Sequence, residues 1–287
     1  MNNSVFAWIN EIKISGILPT ANCEFFVRNQ RINAITSSEI ARKCDFSQGL
    51  AQLSVANDSK GNVIICAIKP ISTQLTEIEY QQLTQLLSIE KESLMGRFLK
   101  LLSIISFPEL QLFVDFILSN SILLEKFITA KASHTHHHSY ENGLFEHSIE
   151  VAEISYFNAK HLMHSDIECQ AGLIAGLFHD IGKIYPTLYR QNNCYISGPH
   201  ESYNFAILAK PLGALTTLNS QVFSLLSQLL AAKPIGHKTR YALEYILKQA
   251  DRTSAESNFI KKQFEALPNH YHFTKVNGNV MYRLNSL

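Results

Sequence analysis

The apolar positions change period twice along the chain. Up to about residue 75 they come in short runs and alternations. Phe25, Phe26 and Val27, and then Ile32 to Ile35, read as strand material. Thr36-Ser37-Ser38-Glu39 ahead of Ile40-Ala41-Arg42-Lys43 is a capping-box pattern and predicts a short helix. Gly49 to Val55 and Asn62 to Ile68 flank the turn-rich Asp58-Ser59-Lys60-Gly61, which predicts a β-hairpin. From about residue 74 the period becomes 3.6. Thr76–Leu87, Ser93–Ile105 and Glu109–Ile128 each carry apolar residues at i, i+3, i+4 and i+7, and the helical reading continues through 145–163, 168–179, 201–212, 219–232 and 238–262. Pro108, Pro186, Gly198-Pro199 and Pro234-Ile235-Gly236 punctuate it. His270 to Leu284 alternates again around Asn277-Gly278, a strong hairpin signal. The expectation is a mainly α chain in three parts: a small mixed or β-barrel part over 1–75, a helical domain over 76–262 and a β-hairpin extension over 263–287.

Composition narrows the class. The 287 residues are 46% hydrophobic and 17% charged, enough apolar material for a sizeable core, so wholesale disorder is excluded. A net charge of +1 excludes a uniformly basic nucleic-acid wrapper but leaves room for a local basic face. The five cysteines are odd in number and form no C-x-x-C pair, so a reducing, cytoplasmic setting fits better than a disulfide framework. The N-terminal segment lacks the basic and apolar runs of a secretory signal, and no stretch approaches the roughly 20 apolar residues of a membrane span.

Chemistry gathers between residues 134 and 251, where most of the 12 histidines lie. Four pieces stand out: His134-Thr135-His136-His137-His138, Gly143-Leu144-Phe145-Glu146-His147-Ser148, Phe178-His179-Asp180-Ile181-Gly182-Lys183, and Gln249-Ala250-Asp251-Arg252-Thr253-Ser254. In the third, an apolar helix ends in adjacent His and Asp, one borderline and one hard metal ligand. Neighbouring helical residues point about 100° apart, so both reach one ion only from a helix end. His147 lies on an apolar helical pattern, and Asp251 comes late in another apolar helix, where a buried carboxylate needs a cation or hydrogen-bond donors. A hydrogen-bonded core histidine or a solvated helix end accounts for any one of these taken alone.

Together they spell H…HD…D, with Lys183 in H-D-x-G-K, and this constellation resembles the HD-domain superfamily of metal-dependent phosphohydrolases over roughly residues 100–260. The resemblance implies a helical bundle around a metal site. It also implies His147, His179, Asp180 and Asp251 as ligands of a first metal, and His200 as a further ligand of a two-metal pattern. It places Lys183 on phosphate or on the nucleophile. His137, His138, His237 and Lys238 are candidate substrate-binding residues, and Arg252 a candidate partner of Lys183 in offsetting phosphate charge. The stretch from His136-His137-His138 to Ala152, and Ala250-Asp251-Arg252-Thr253-Ser254, are similar to the TraI/MobH-type conjugative relaxases, although Asn142 replaces the first glycine of their G-G-L and the adjacent paired histidines of some relatives are missing. The YhaM-type 3′–5′ exoribonuclease is the second relative; its N-terminal OB-fold implies an OB-like module here. Full relaxases are much longer than this chain.

The implied mechanism is hydrolysis assisted by one or two divalent ions, and mixed His and carboxylate ligands suit Mn, Fe, Ni or Zn better than Mg alone. Between Asp180 and Lys262 ten Lys or Arg face five Asp or Glu, a balance compatible with an anionic substrate and also with an ordinary solvated helix face. The expected activity is a phosphodiesterase or nuclease on single-stranded DNA or RNA, tied through the resemblance to conjugative DNA mobilisation. A nucleotide phosphohydrolase and a non-catalytic nucleic-acid-binding scaffold with a vestigial metal site are the alternatives. No membrane partner is expected, and the sequence leaves the oligomeric state open.

Overall fold

The computed structural model describes residues 3–16, 18–27, 30–44, 49–69, 92–133, 137–188, 198–233, 236–276 and 278–283. The helix expected over Thr76–Leu87 and the residues His134, Thr135, His136, Pro234, Ile235 and Asn277 lie outside them.

Five strands, β1 (Asn3–Ile14), β2 (Thr20–Val27), β3 (Gln30–Ser37), β4 (Gly49–Asn57) and β5 (Val63–Lys69), close into a barrel in the order β1-β2-β3-β5-β4. All pairings are antiparallel except β3 with β5. Helix α1 (Ser38–Lys43) joins β3 to β4 and is capped by Ser37, whose hydroxyl accepts from the Ile40 N–H. This strand order with its intervening helix is OB-like. Ala7, Ile9, Cys23, Phe25, Ala34, Ala51, Leu53 and Ile65 fill the barrel, and burial pushes the Cys23 thiol up to about 12. Strand β1 does not stand out in the sequence pattern. A register shift between Ile9 and Glu11 breaks its alternation, and its outward Phe6 is buried in the neighbouring helical core.

The helical body contains α2 (Glu92–Ile104), α3 (Pro108–Leu118), α4 (Ser121–Thr129), α5 (Gly143–His161), α6 (Asp166–Phe178), a 3₁₀ turn (Ile181–Ile184), α7 (Tyr185–Leu188), α8 (His200–Leu218), α9 (Ser220–Leu230) and α10 (Ala242–Glu265). The single helix expected over Glu109–Ile128 is two. Asn120 interrupts it, because its side-chain oxygen accepts from the Leu123 N–H and so starts a new helix. α5 and α6 form the central pair and α10 packs on both. Phe98, Phe127, Phe145 and Phe178 form a chain of edge-on and tilted rings behind the end of α6. A C-terminal hairpin, β6 (Phe273–Val276) and β7 (Asn279–Tyr282), follows α10. Among the described residues no helix is long and apolar enough to cross a membrane.

The α5–α6 contact depends on Gly176. A Cβ there would stand 2.5 Å from Ala152 Cα and 2.7 Å from its nitrogen, both backbone atoms that cannot swing aside. Gly176→Ala is therefore expected to destabilise the protein by about 1–3 kcal/mol through overpacking, read as a lowered urea midpoint with unchanged slope.

Candidate metal centre

The first site histidines are delivered by a tight turn between α4 and α5. His138 has a left-handed backbone (φ 46°), its N–H donates to Asn258 Oδ1 at 2.8 Å, and its carbonyl accepts from the Ala132 N–H at 3.1 Å. A Cβ on Gly143 would lie 2.1 Å from that carbonyl oxygen, so only glycine can open α5 against this turn. Asn142 is left-handed too (φ 65°), a conformation asparagine tolerates better than most residues. Its amide donates to the Ile128 carbonyl at 2.9 Å. Asparagine in place of the first glycine thus preserves the turn. One helical turn further, α5 presents His147, fully buried.

The second ligand pair comes from the end of α6. The helix stops at Phe178, and Asp180 (φ −108°, ψ 9°) leads into the 3₁₀ turn, which lets adjacent His179 and Asp180 side chains converge. Gly182 is required here: a Cβ would stand 1.9 Å from the His200 carbonyl oxygen. Asn204, fully buried on α8, accepts from the Gly182 N–H at 2.7 Å and donates to the carbonyls of His179 and Leu230. These contacts dock the start of α8, and with it His200, onto the H-D-x-G-K turn.

Four hydrogen-bond acceptors meet where α5, α6 and α10 come together. His147 Nε2 is 3.1 Å from Asp251 Oδ1 and 3.6 Å from Asp180 Oδ2; His179 Nε2 is 3.7 and 3.5 Å from the same two atoms. Tautomers follow from the far side of each ring. Ser254 Oγ donates to Glu150 Oε2 at 2.6 Å, so at 2.9 Å it accepts from His147 Nδ1–H. His179 Nδ1 faces the Gly176 carbonyl at 2.9 Å and must also donate. In the neutral rings both Nε2 lone pairs therefore point at carboxylate oxygens, and both atoms are buried without a hydrogen-bond partner. Atoms bound at about 2.0–2.2 Å to one ion stand roughly 3.0–3.6 Å apart. The observed spacings and the all-acceptor donor set fit a divalent cation.

The charges in the cluster show which ring a cation must deprotonate. Burial favours the neutral form of every group here. It keeps His147 below its ordinary range although Asp251 and Asp180 face the ring. At His179 burial is outweighed by the Asp180 and Asp251 carboxylates and its pKa rises to about 9, so without a cation its Nε2 carries a proton at neutral pH, which a bound ion would displace. Burial also opposes ionisation of Asp180 and Asp251, but the surrounding histidines and, at Asp180, the Lys183 ammonium hold both carboxyls well below the usual range. The two carboxylates concentrate negative charge and draw a cation.

Lys183 Nζ lies 2.5 Å from Asp180 Oδ2, and His200 Nε2 2.7 Å from Asp180 Oδ1. These residues, with His137, Glu201, His237 and Lys248, line an open cleft of about 710 Å³. His137 is half-buried, and burial together with the neighbouring His147 holds its pKa down to about 4. His138 does not line the cleft; its Nε2 turns to Glu150, 3.4 Å away. His237 lines it but bonds to Glu244 at 2.7 Å. Lys238 lines a side recess with Lys233 and Arg240. Arg252 is exposed on α10 and is not among the cleft-lining residues.

Sequence reasoning gave no role to the residues that hold these side chains in place: Glu150, Ser254, Asn204, Asn258 and Glu244, although Ser254 stands in the Ala250–Ser254 motif. Glu150 follows His147 by three residues and Ser254 follows Asp251 by three, the spacing that places helical side chains on one face. That spacing was the available signal.

Two outcomes are expected. Ser254→Ala should weaken divalent-metal affinity by about 10- to 100-fold, because His147 loses the acceptor that fixes its tautomer, and Ser254→Thr should restore it; competition with a metal-sensitive dye reads both. Glu244 is pushed up by burial, but bonds from the Arg240 and Tyr241 N–H groups, His237 and Lys233 hold it down to about 2 from an ordinary 4.5. Its contribution to stability is thus complete above pH 4.5 and lost as pH falls toward 2. Denaturation of wild type and Glu244→Gln between pH 6 and pH 3 should show the wild-type advantage shrinking on acidification.

No curated protein and no solved structure matches the chain. The model of one family does: residues 144–256 match the HD domain, a span that contains His147, His179, Asp180, His200 and Asp251. Residues 144–256 of the chain are thus an HD domain, and within it His147, His179 and Asp180 form a buried cluster consistent with a divalent-metal site.

Proposed function

We propose that the protein is a metal-dependent phosphodiesterase that acts on single-stranded nucleic acid. The observation that carries the hydrolytic half of this reading is the convergence of His147, His179, Asp180 and Asp251 beside Lys183, with His147 buried and the others on the wall of an open cleft. The OB-like barrel supports the polymeric substrate, since such barrels offer a curved face that oligonucleotides follow. The similarity of the His136–Ala152 and Ala250–Ser254 stretches to conjugative relaxases favours a role linked to DNA mobilisation.

His147, His179, Asp180 and Asp251 would hold the ion. A bound divalent ion supplies Lewis acidity at a phosphoryl oxygen and acidifies a water for attack. The protein supplies the rest. Lys183 sets an ammonium against Asp180, where it offsets charge building on phosphate. Asp180 offers Oδ2 to this cluster and Oδ1 to His200, the disposition of a carboxylate shared between two sites. His137, held neutral at pH 7, faces the cleft as a hydrogen-bonding group rather than a charge. The cleft volume of about 710 Å³ also suits one nucleotide, which favours a mononucleotide phosphohydrolase as the second reading.

The test is metal content of the purified protein with Asp180→Ala in parallel, then Mn-supplemented cleavage of labelled single-stranded DNA and RNA. One or two ions per chain in the wild type, lost in Asp180→Ala together with polymer cleavage by at least 10³-fold, is the expected result. Metal binding with turnover of mononucleotides alone would select the second reading, and no metal after Mn or Fe loading would sink both.

A further inference from the structure

The C-terminal hairpin is built with its apolar face outward. Its register pairs Phe273 with Tyr282, Thr274 with Met281, Lys275 with Val280 and Val276 with Asn279. Side chains alternate across a two-stranded ribbon, so Phe273, Lys275, Val280 and Tyr282 share one face. Phe273, Val280 and Tyr282 are 55%, 42% and 73% exposed there, while Thr274, Val276 and Met281 on the other face are half-buried. The ribbon is nonetheless anchored. Arg283 donates to the carbonyls of Phe264, Leu267, Pro268 and Tyr271, and its guanidinium lies over the Phe264 ring, so the hairpin is clamped to the end of α10. The clamp leaves the aromatic pair facing solvent.

We infer that this face is a stacking platform for single-stranded nucleic acid. The Phe273 and Tyr282 rings are 6.3 Å apart and tilted by 46°, so neither covers the other's face. Lys275 stands beside them, and residues 266–283 contain no carboxylate, which suits bases on the rings and a phosphate on the ammonium. A second copy of the chain is the poorer occupant. Two aromatic side chains bury about 150–250 Å² each, well short of the ~800 Å² per partner of a stable dimer. Helix α10 rises about 1.5 Å per residue, which puts its last residue, Glu265, about 21 Å along the axis from Asp251. A strand long enough to span that distance reaches both sites, whereas a mononucleotide in the cleft does not. The inference rests on the polymer substrate proposed above and assigns part of its binding to the hairpin.

The test uses the full chain and 20-nucleotide labelled oligo-dT and oligo-rU in fluorescence anisotropy. Phe273→Ala with Tyr282→Ala is expected to raise Kd for at least one strand tenfold or more, while hydrolysis of bis(p-nitrophenyl) phosphate and the melting temperature stay unchanged. Phe273→Tyr with Tyr282→Phe, which keeps both rings, should keep the affinity. Lys275→Gln should lessen the slope of log K against log salt by about 0.7, the loss of one phosphate contact. An unchanged Kd in the double alanine variant overturns the proposal. So does a wild-type dimer, seen by light scattering, that the same variant dissociates. Wild-type protein that cleaves the small diester but binds neither strand overturns it and leaves the phosphodiesterase standing. Strand binding lost in the variant, without any hydrolysis by the wild type, supports the platform and removes the enzymatic reading.

Discussion

Two imidazole nitrogens and two carboxylate oxygens occupy one small space between α5, α6 and α10. With both rings neutral all four are acceptors, because Ser254 and the Gly176 carbonyl hold the Nδ1 protons; the two carboxylates instead raise His179 to about 9, so without a cation a second proton answers them. Burying a carboxylate without a counter-charge costs several kcal/mol, and removing one partner of such a cluster leaves the others exposed to that cost. The local fold is arranged around this conflict. Apolar helices exclude water from the imidazoles, and Lys183 and His200 bring positive charge or a donor to Asp180 from the next turn and the next helix.

Rigid backbone contacts keep the groups from moving apart to relieve the strain. Gly143 touches the His138 carbonyl, Gly176 touches Ala152 and Gly182 touches the His200 carbonyl, each at a distance that forbids any side chain. These three glycines fix the turn before α5, the α5–α6 packing and the docking of α8, and each lies within four residues of a proposed ligand. The glycines of the G-L-x-x-H and H-D-x-G-K patterns are thus packing requirements, and the left-handed Asn142 shows that the first glycine of the usual pair answers a backbone need that asparagine also meets.

Much of this was legible because it is local. The short helix after Ser37 (a single side-chain cap there, with Glu39 paired to Lys43 rather than closing the expected box), the hairpin around Asp58–Gly61 and the amphipathic helices all follow from short-range rules. The proposed ligands were legible because His and Asp are conspicuous in apolar helices. What escaped depended on tertiary partners. Strand β1 borrows its burial from the helical core through Phe6 and loses its alternation at the Ile9–Glu11 irregularity. The break at Asn120 required knowing that its side chain turns back on Leu123 N–H. The ligand-holding residues Glu150 and Ser254 are polar side chains in helices, where a solvated surface position is the ordinary reading; only the crossing of α5 and α10 makes them a pair.

That crossing also links the two histidine groups. Glu150 receives the Ser254 hydroxyl, which in turn receives His147, and the same carboxylate oxygen lies 3.4 Å from His138 Nε2. Burial would raise the Glu150 carboxyl, but His138 and Ser254 hold it down to about 2, so it is an ionised acceptor at neutral pH. A fixed acceptor at this point orients His147 toward the metal site and ties down the turn that carries His137 into the cleft. His138, although it stands next to a cleft residue in a run of histidines, serves the scaffold. Its neighbour serves the site, and the left-handed backbone at His138 is what turns two adjacent side chains toward such different surroundings.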